Sequence, residues 1–131
     1  MIGLDTNILV RLITDDDPER AAAAQRLIET ECGPERPGFI NMVVLCELAW
    51  TLDRRYSFGR GAIADTIEAL IRVPSLRVQR DDLIWKAAKT YRDARCDFAD
   101  VVISLVNEES GCAVTATFDR KAAGLDTFRL L

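Results

Sequence analysis

The sequence predicts an α/β fold, a three-layer α/β/α sandwich around a short parallel sheet of four to five strands. Two observations lead there. Short apolar segments alternate with longer stretches of helical periodicity, the pattern of a parallel sheet covered by helices. Glycine and proline fall at the junctions, and no repeat, low-complexity tract or linker divides the chain. With 131 residues and 49% hydrophobic content, a single domain over residues 1–131 can bury a sizeable core.

The elements follow in order. Residues 1–4 form a short strand, and a brief helix begins just after Asp5. Asp15-Asp16-Asp17-Pro18-Glu19 is a helix entry, with Asp17 as N-cap and Pro18 in the first helical position. Asp15 and Asp16 read as solvated charge at that entry. The helix runs to about Thr30, with Ala21, Ala24, Leu27 and Ile28 on one face. Gly33-Pro34 and Pro37-Gly38 bracket a loop, and Phe39-Ile40 is a second strand. A helix from about Val43 to Arg54 buries Val44, Leu45, Leu48 and Leu52. After Gly59 and Gly61, residues Ile63, Ile67, Leu70 and Ile71 mark another amphipathic helix, stopped by Pro74. Leu76–Val78 is the third strand, Asp81–Ala94 a helix, and Phe98–Glu109 a more buried helix closed at Gly111. Ala113–Ala116 and Thr127–Leu130 complete the strands.

Charge is ordinary in amount, 29% of residues, with a formal net charge of −4. That balance argues weakly against nucleic-acid binding by bulk electrostatics, although a bound cation would invert the local field. No apolar stretch approaches the ~20 residues needed to span a bilayer. Asp5 breaks the N-terminal apolar run too early for a signal peptide, so the expected location is cytoplasmic, without membrane attachment. Cys32, Cys46, Cys96 and Cys112 lack C-x-x-C spacing and are expected to be plain thiols.

Four carboxylates stand out. Asp5 interrupts Met1-Ile2-Gly3-Leu4 and Ile8-Leu9-Val10, Glu47 lies inside an apolar helix, and Asp100 opens Val101-Val102-Ile103. Asp119 follows the fourth strand. Burying an isolated carboxylate is costly, so such groups pair or hold a metal. Ligands of an open parallel sheet bind beyond the C-terminal strand ends, where Asp5, Glu47 and Asp119 fall. Asp100, at the start of a helix leading into strand four, needs an oblique approach to join them. Two carboxylates ~5 Å apart at an effective dielectric near 20 repel by about 3 kcal/mol, so a cluster needs protons or a cation. An all-oxygen set in a chain without histidine selects Mg²⁺, with Mn²⁺ able to substitute.

Leu4-Asp5-Thr6-Asn7-Ile8-Leu9, the apolar helix carrying Glu47, Asp97-Phe98-Ala99-Asp100-Val101-Val102-Ile103 and Thr117-Phe118-Asp119-Arg120 together resemble the PIN domain. They are most similar to its VapC-type ribonuclease toxins of type II toxin–antitoxin modules, in motif order over essentially the whole chain. The resemblance implies a metal-dependent endoribonuclease with Asp5, Glu47, Asp100 and Asp119 as its acidic site. Asp5 and Asp100 would be the principal Mg²⁺ ligands. Glu47 would orient or deprotonate the attacking water, and Asp119 would support the metal or its waters. Asn7 and Thr117 would be supporting polar groups. An RNA substrate, a cognate antitoxin and a homodimer are implied in the same way.

Competing readings attach to each residue. Asp5-Thr6-Asn7 could simply cap the helix that follows. Glu47 could pair with Arg54 or Arg55. Asp97, three residues before Asp100, is either its helix's N-cap or a site acid that shares or replaces the role of Asp100. Asp119 could be a solvated turn residue. Arg11, Arg54, Arg55, Arg60, Arg120 and Lys121 are unranked candidates for phosphate contact. At the level of the whole protein, a catalytically inactive PIN-like binding module is the alternative. A haloacid-dehalogenase-like phosphatase fits poorly, because Asn7 stands where a second aspartate is needed.

Overall fold

The computed structural model describes all residues, Met1–Leu131. Two parallel ladders form its sheet layer. β1 (Ile2–Gly3), β2 (Gly38–Ile40) and β3 (Leu76–Val78) pair in that order, with Ile2 opposite Gly38 and Ile40 opposite Val78. β4 (Thr115–Thr117) and β5 (Phe128–Leu130) form a separate parallel pair. The α/β sandwich is therefore as expected, with its five strands hydrogen-bonded as three plus two. Gly38 lets β1 and β2 meet without displacing side chains, since a Cβ there would lie 2.8 Å from Leu4 Cδ1 and 3.2 Å from Cys32 Sγ.

Six helices surround these ladders: α1 (Thr6–Ile13), α2 (Pro18–Glu31), α3 (Met42–Tyr56), α4 (Arg60–Arg72), α5 (Asp81–Asp93) and α6 (Phe98–Glu109). Their starts are written in the sequence. Asp17 caps α2 by accepting the Arg20 N–H at 3.1 Å, and Asn41 caps α3 by accepting the Val44 N–H at 2.9 Å. The Asn41 cap explains why α3 begins before Val43. Ser57 ends α3 in the left-handed conformation, and Gly111 (φ 96°) turns the chain after α6.

The core gathers Leu9, Leu45, Leu48, Leu52, Ile63, Ile67, Ile84, Phe98 and Val101, all essentially inaccessible. The edge of Phe98 packs against Tyr91 at 5.6 Å between ring centroids. α3 sits centrally, touching α1, α4 and α6, and α6 also packs on α5. No helix is long and apolar enough to cross a membrane.

One expectation needs correction. The fourth strand is shifted to Thr115–Thr117, because Val114 is exposed and the threonines make the ladder. The Asn107 side-chain amide donates to the Thr115 hydroxyl at 3.0 Å and sets the strand's start. Asp16 is exposed, as expected of solvated charge, and is also tied into the fold. It accepts from Arg11 (2.7 Å), Thr14 (3.1 Å) and the Tyr56 hydroxyl (2.7 Å), tying the end of α1 to the end of α3. The Tyr56 hydrogen bond, foremost, holds its carboxyl below the ordinary range.

Candidate functional site

Asp5 directly follows β1 and Leu4, whose N–H donates to Phe39 at 2.8 Å. It caps α1 in an extended conformation, its carboxylate accepting the Thr6 N–H at 2.8 Å. Capping thus describes its backbone, yet the side chain remains exposed at the mouth of a cleft. This cleft, about 620 Å³, lies between α1 and α3. Asp5, Asn7, Arg11, Glu47, Trp50 and Arg55 line it. Glu47 reaches the cleft from the second turn of α3, and its Oε1 accepts the hydroxyl of the buried Thr6 at 2.9 Å. One residue thus binds both acids, giving its backbone N–H to Asp5 and its hydroxyl to Glu47.

Glu47 makes no ion pair. Arg54 pairs with Asp53 (3.2 Å) and Asp97 (3.7 Å), whereas Arg55 faces the cleft without a carboxylate partner. Arg60 is structural: its guanidinium donates to the carbonyls of Tyr91 (3.0 Å) and Cys96 and stacks on the Tyr91 ring at 3.9 Å.

Asp100 and Asp97 form a capping box at the start of α6, the Asp97 N–H donating to the Asp100 carboxylate at 3.3 Å. Asp97 is the N-cap, and it lines a small separate depression with Asp53 and Trp50. Asp100 is half-buried and has no cation partner. Burial raises its pKa most strongly; the charges of Asp97 and Asp119 add to that, and the Asp97 N–H opposes it. Asp100 and Asp119 are therefore electrostatic neighbours. Packing of α6 on α3 supplies the oblique approach, placing Asp100 and Glu47 around the Cys46 thiol. Burial first, then the charges of Asp100 and Glu47, push that thiol up to about 11. Cys46 is thus a neutral apolar divider at neutral pH.

Asp119 is exposed in the turn after β4. It accepts the Lys121 N–H at 2.8 Å, and its own N–H donates to the Thr117 hydroxyl at 3.0 Å. Thr117 thereby shapes the turn that presents this acid.

The structure thus links the four acids in a chain: Asp5 to Glu47 through Thr6, Glu47 to Asp100 across Cys46, and Asp100 to Asp119. They are not buried as their apolar surroundings suggested. Asp5, Glu47 and Asp119 are exposed and Asp100 half-buried, because each projects from the solvent side of its segment. Nor do any three Asp, Glu or Cys side chains come close enough together to hold an ion in this side-chain arrangement. The donor chemistry nevertheless fits a hard divalent cation, being all oxygen, with Asp100 half-buried and lacking a cation partner. Thr6, Cys46 and Asp16 escaped the sequence reading. Thr6 had a signal in its place between the two polar residues Asp5 and Asn7, but its partner Glu47 lies 41 residues away.

A family model described as PIN domain matches residues 2–127. No match was found among curated proteins.

Proposed function

The chain belongs to the PIN domain family, a nuclease-type fold, and from that premise we propose that it is a Mg²⁺-dependent endoribonuclease acting as the toxin of a type II toxin–antitoxin pair. The observation that carries the catalytic part is Asp100, a half-buried carboxylate at the start of α6 that has no cation partner and feels the negative charges of Asp97 and Asp119. Such an arrangement is costly in a metal-free protein and is relieved by a cation.

Asp5 and Asp100 would hold Mg²⁺ or Mn²⁺. Such an ion, when bound, supplies a polarised water and charge neutralisation at the phosphodiester. Glu47, fixed by the Thr6 hydroxyl, would orient the attacking water and serve as its proton acceptor. Asp119, on a turn braced by Thr117 and Lys121, would support the ion or its waters. Arg11, aimed by Asp16, and Arg55 face the same cleft and offer positive charge to a substrate phosphate.

Purified protein with Mg²⁺ or Mn²⁺ is expected to cleave structured RNA, and EDTA or Asp5→Ala to abolish cleavage. Undiminished cleavage by Asp5→Ala defeats the mechanism. The looseness of the acid set favours one competing reading, an inactive PIN-like binding module. Titration calorimetry separates the two, since that module binds no Mg²⁺. A small open reading frame overlapping the upstream end of the gene would support the antitoxin partnership, and sedimentation reads the homodimer.

A further inference from the structure

A second cleft of about 770 Å³ is lined by Thr90, Asp93, Arg95, Arg120, Lys121 and Leu125. The ion pairs of the structure all use other cations: Arg11, Arg20, Arg54, Arg80, Lys89 and Arg92. Arg95, Arg120 and Lys121 therefore make no ion pair, and Asp93 is the one carboxylate among the lining residues. In a chain of net charge −4 this is a local inversion of sign. The cleft is also joined to the candidate site by its own backbone. Arg95 lies just before the Asp97–Asp100 capping box, and Arg120 and Lys121 directly follow Asp119, whose carboxylate accepts the Lys121 N–H.

The same turn carries Phe118, 82% exposed and the most exposed large hydrophobic side chain of the protein. Its backbone is braced on both sides, by the β4 ladder and by the Asp119 N–H on the Thr117 hydroxyl. A bare aromatic ring on a fixed turn, flanked by unpaired cations, is the equipment for an unstacked base and its phosphates.

We infer that this basic cleft and the Phe118 ring hold single-stranded RNA flanking the bond that is cut, with phosphates on Arg95, Arg120 and Lys121 and one base on Phe118. The inference rests on the ribonuclease reading. It adds a binding track joined by backbone to Asp119 and to the Asp97–Asp100 capping box, distinct in its lining from the Asp5–Glu47 cleft. Cations alone would suit a duplex equally, but the ring has no use for a stacked base.

The test is fluorescence anisotropy with a fluorescein-labelled single-stranded oligoribonucleotide and its duplex, in EDTA, across potassium chloride concentrations. Arg120→Gln/Lys121→Gln is expected to reduce the slope of log affinity against log salt by about 1.4, two single-strand phosphate contacts. Phe118→Ala is expected to weaken single-strand binding roughly 10-fold at every salt concentration while changing duplex binding little. Both variants should keep the wild-type Mn²⁺ affinity and circular dichroism. Wild-type protein that binds and cleaves RNA, with variants that retain affinity and slope, overturns the cleft assignment and leaves the ribonuclease reading standing. Wild-type protein that neither binds nor cleaves overturns both. A Phe118→Ala variant that loses self-association in sedimentation but keeps its RNA affinity also overturns the assignment, making the patch an interface between copies of the chain.

Discussion

Glu68 and Asp100 are both carboxylates withdrawn from solvent on helices, and their surroundings are opposite. Glu68, on α4, is 6% exposed and is gripped from α5 by Lys89 (3.3 Å) and Arg92 (3.2 Å). Burial pushes its carboxyl up, but the hydrogen bonds and charges of these cations outweigh that and hold it below the ordinary range. Burial first, then the charges of Asp97 and Asp119, hold the Asp100 carboxyl above the ordinary range against a single backbone N–H. One acid stabilises the α4–α5 packing. The other is a local strain, and a cation is what would remove it.

The largest effect that tests this contrast is on activity. Asp100→Asn is expected to lose RNA cleavage to below detection, and Glu47→Gln to lose it by roughly 10²–10⁴-fold, the range for a lost proton acceptor. Glu68→Gln should leave the cleavage rate of the folded protein unchanged. Single-turnover assays read all three, and loss in Glu68→Gln at full folding would erase the distinction.

Stability comes next, with the order inverted. Glu68→Gln is expected to cost about 1–3 kcal/mol in urea unfolding, since Arg92 and Lys89 lose their charged acceptor. Asp100→Asn should raise the melting point of metal-free protein, because like-charge repulsion is relieved while Asn still accepts the Asp97 N–H. A lower melting point for Asp100→Asn would contradict the picture of a strained acid. Adding Mn²⁺ should raise the melting point of wild type and not that of Asp100→Asn.

The pH dependence carries opposite signs. Asp100, with its folded pKa raised above 3.8, binds more protons folded than unfolded, so its contribution to stability is lost as pH rises through that window. Glu68, with its folded pKa lowered below 4.5, contributes stability above 4.5 that is lost as pH falls through its folded value. Unfolding of the two Asn and Gln variants against wild type from mildly acid to neutral pH should show one slope vanish in each.

The smallest expected effect is on a thiol. Cys46, raised to about 11, should alkylate slowly at pH 8, while exposed Cys112 reacts readily and serves as reference. Asp100→Asn should speed Cys46 modestly, because burial, the larger cause, is untouched; Glu68→Gln should not change it.

Much of the fold was legible in the chain. Leu76–Val78 and Phe98–Glu109 carry the predicted bounds, and the Asp17-Pro18 entry opens α2 as expected. These are local properties, set by a cap, a proline or an apolar period. β4 was misplaced because Ala113-Val114 is apolar in sequence but exposed in space, and the Asn107–Thr115 contact decided the matter. Among the acids, their order and chemical type could be read, but their exposure could not. An apolar neighbour along the chain says little about which side of a helix a carboxylate leaves from.

The sequence alone determined the elements, the order of the four acids and the absence of histidine, which together restrict the donor set to oxygen. Only the tertiary structure decided the roles of the cations. Arg54 and Arg60 are engaged within the fold, Arg11 and Arg55 face the Asp5–Glu47 cleft, and Arg95, Arg120 and Lys121 share another. It also decided that Thr6 joins Asp5 to Glu47 and that Asp16 orients Arg11. The reason is physical: caps and periodicity act over a few residues, whereas a charge finds its partner across whatever helices the core has brought together.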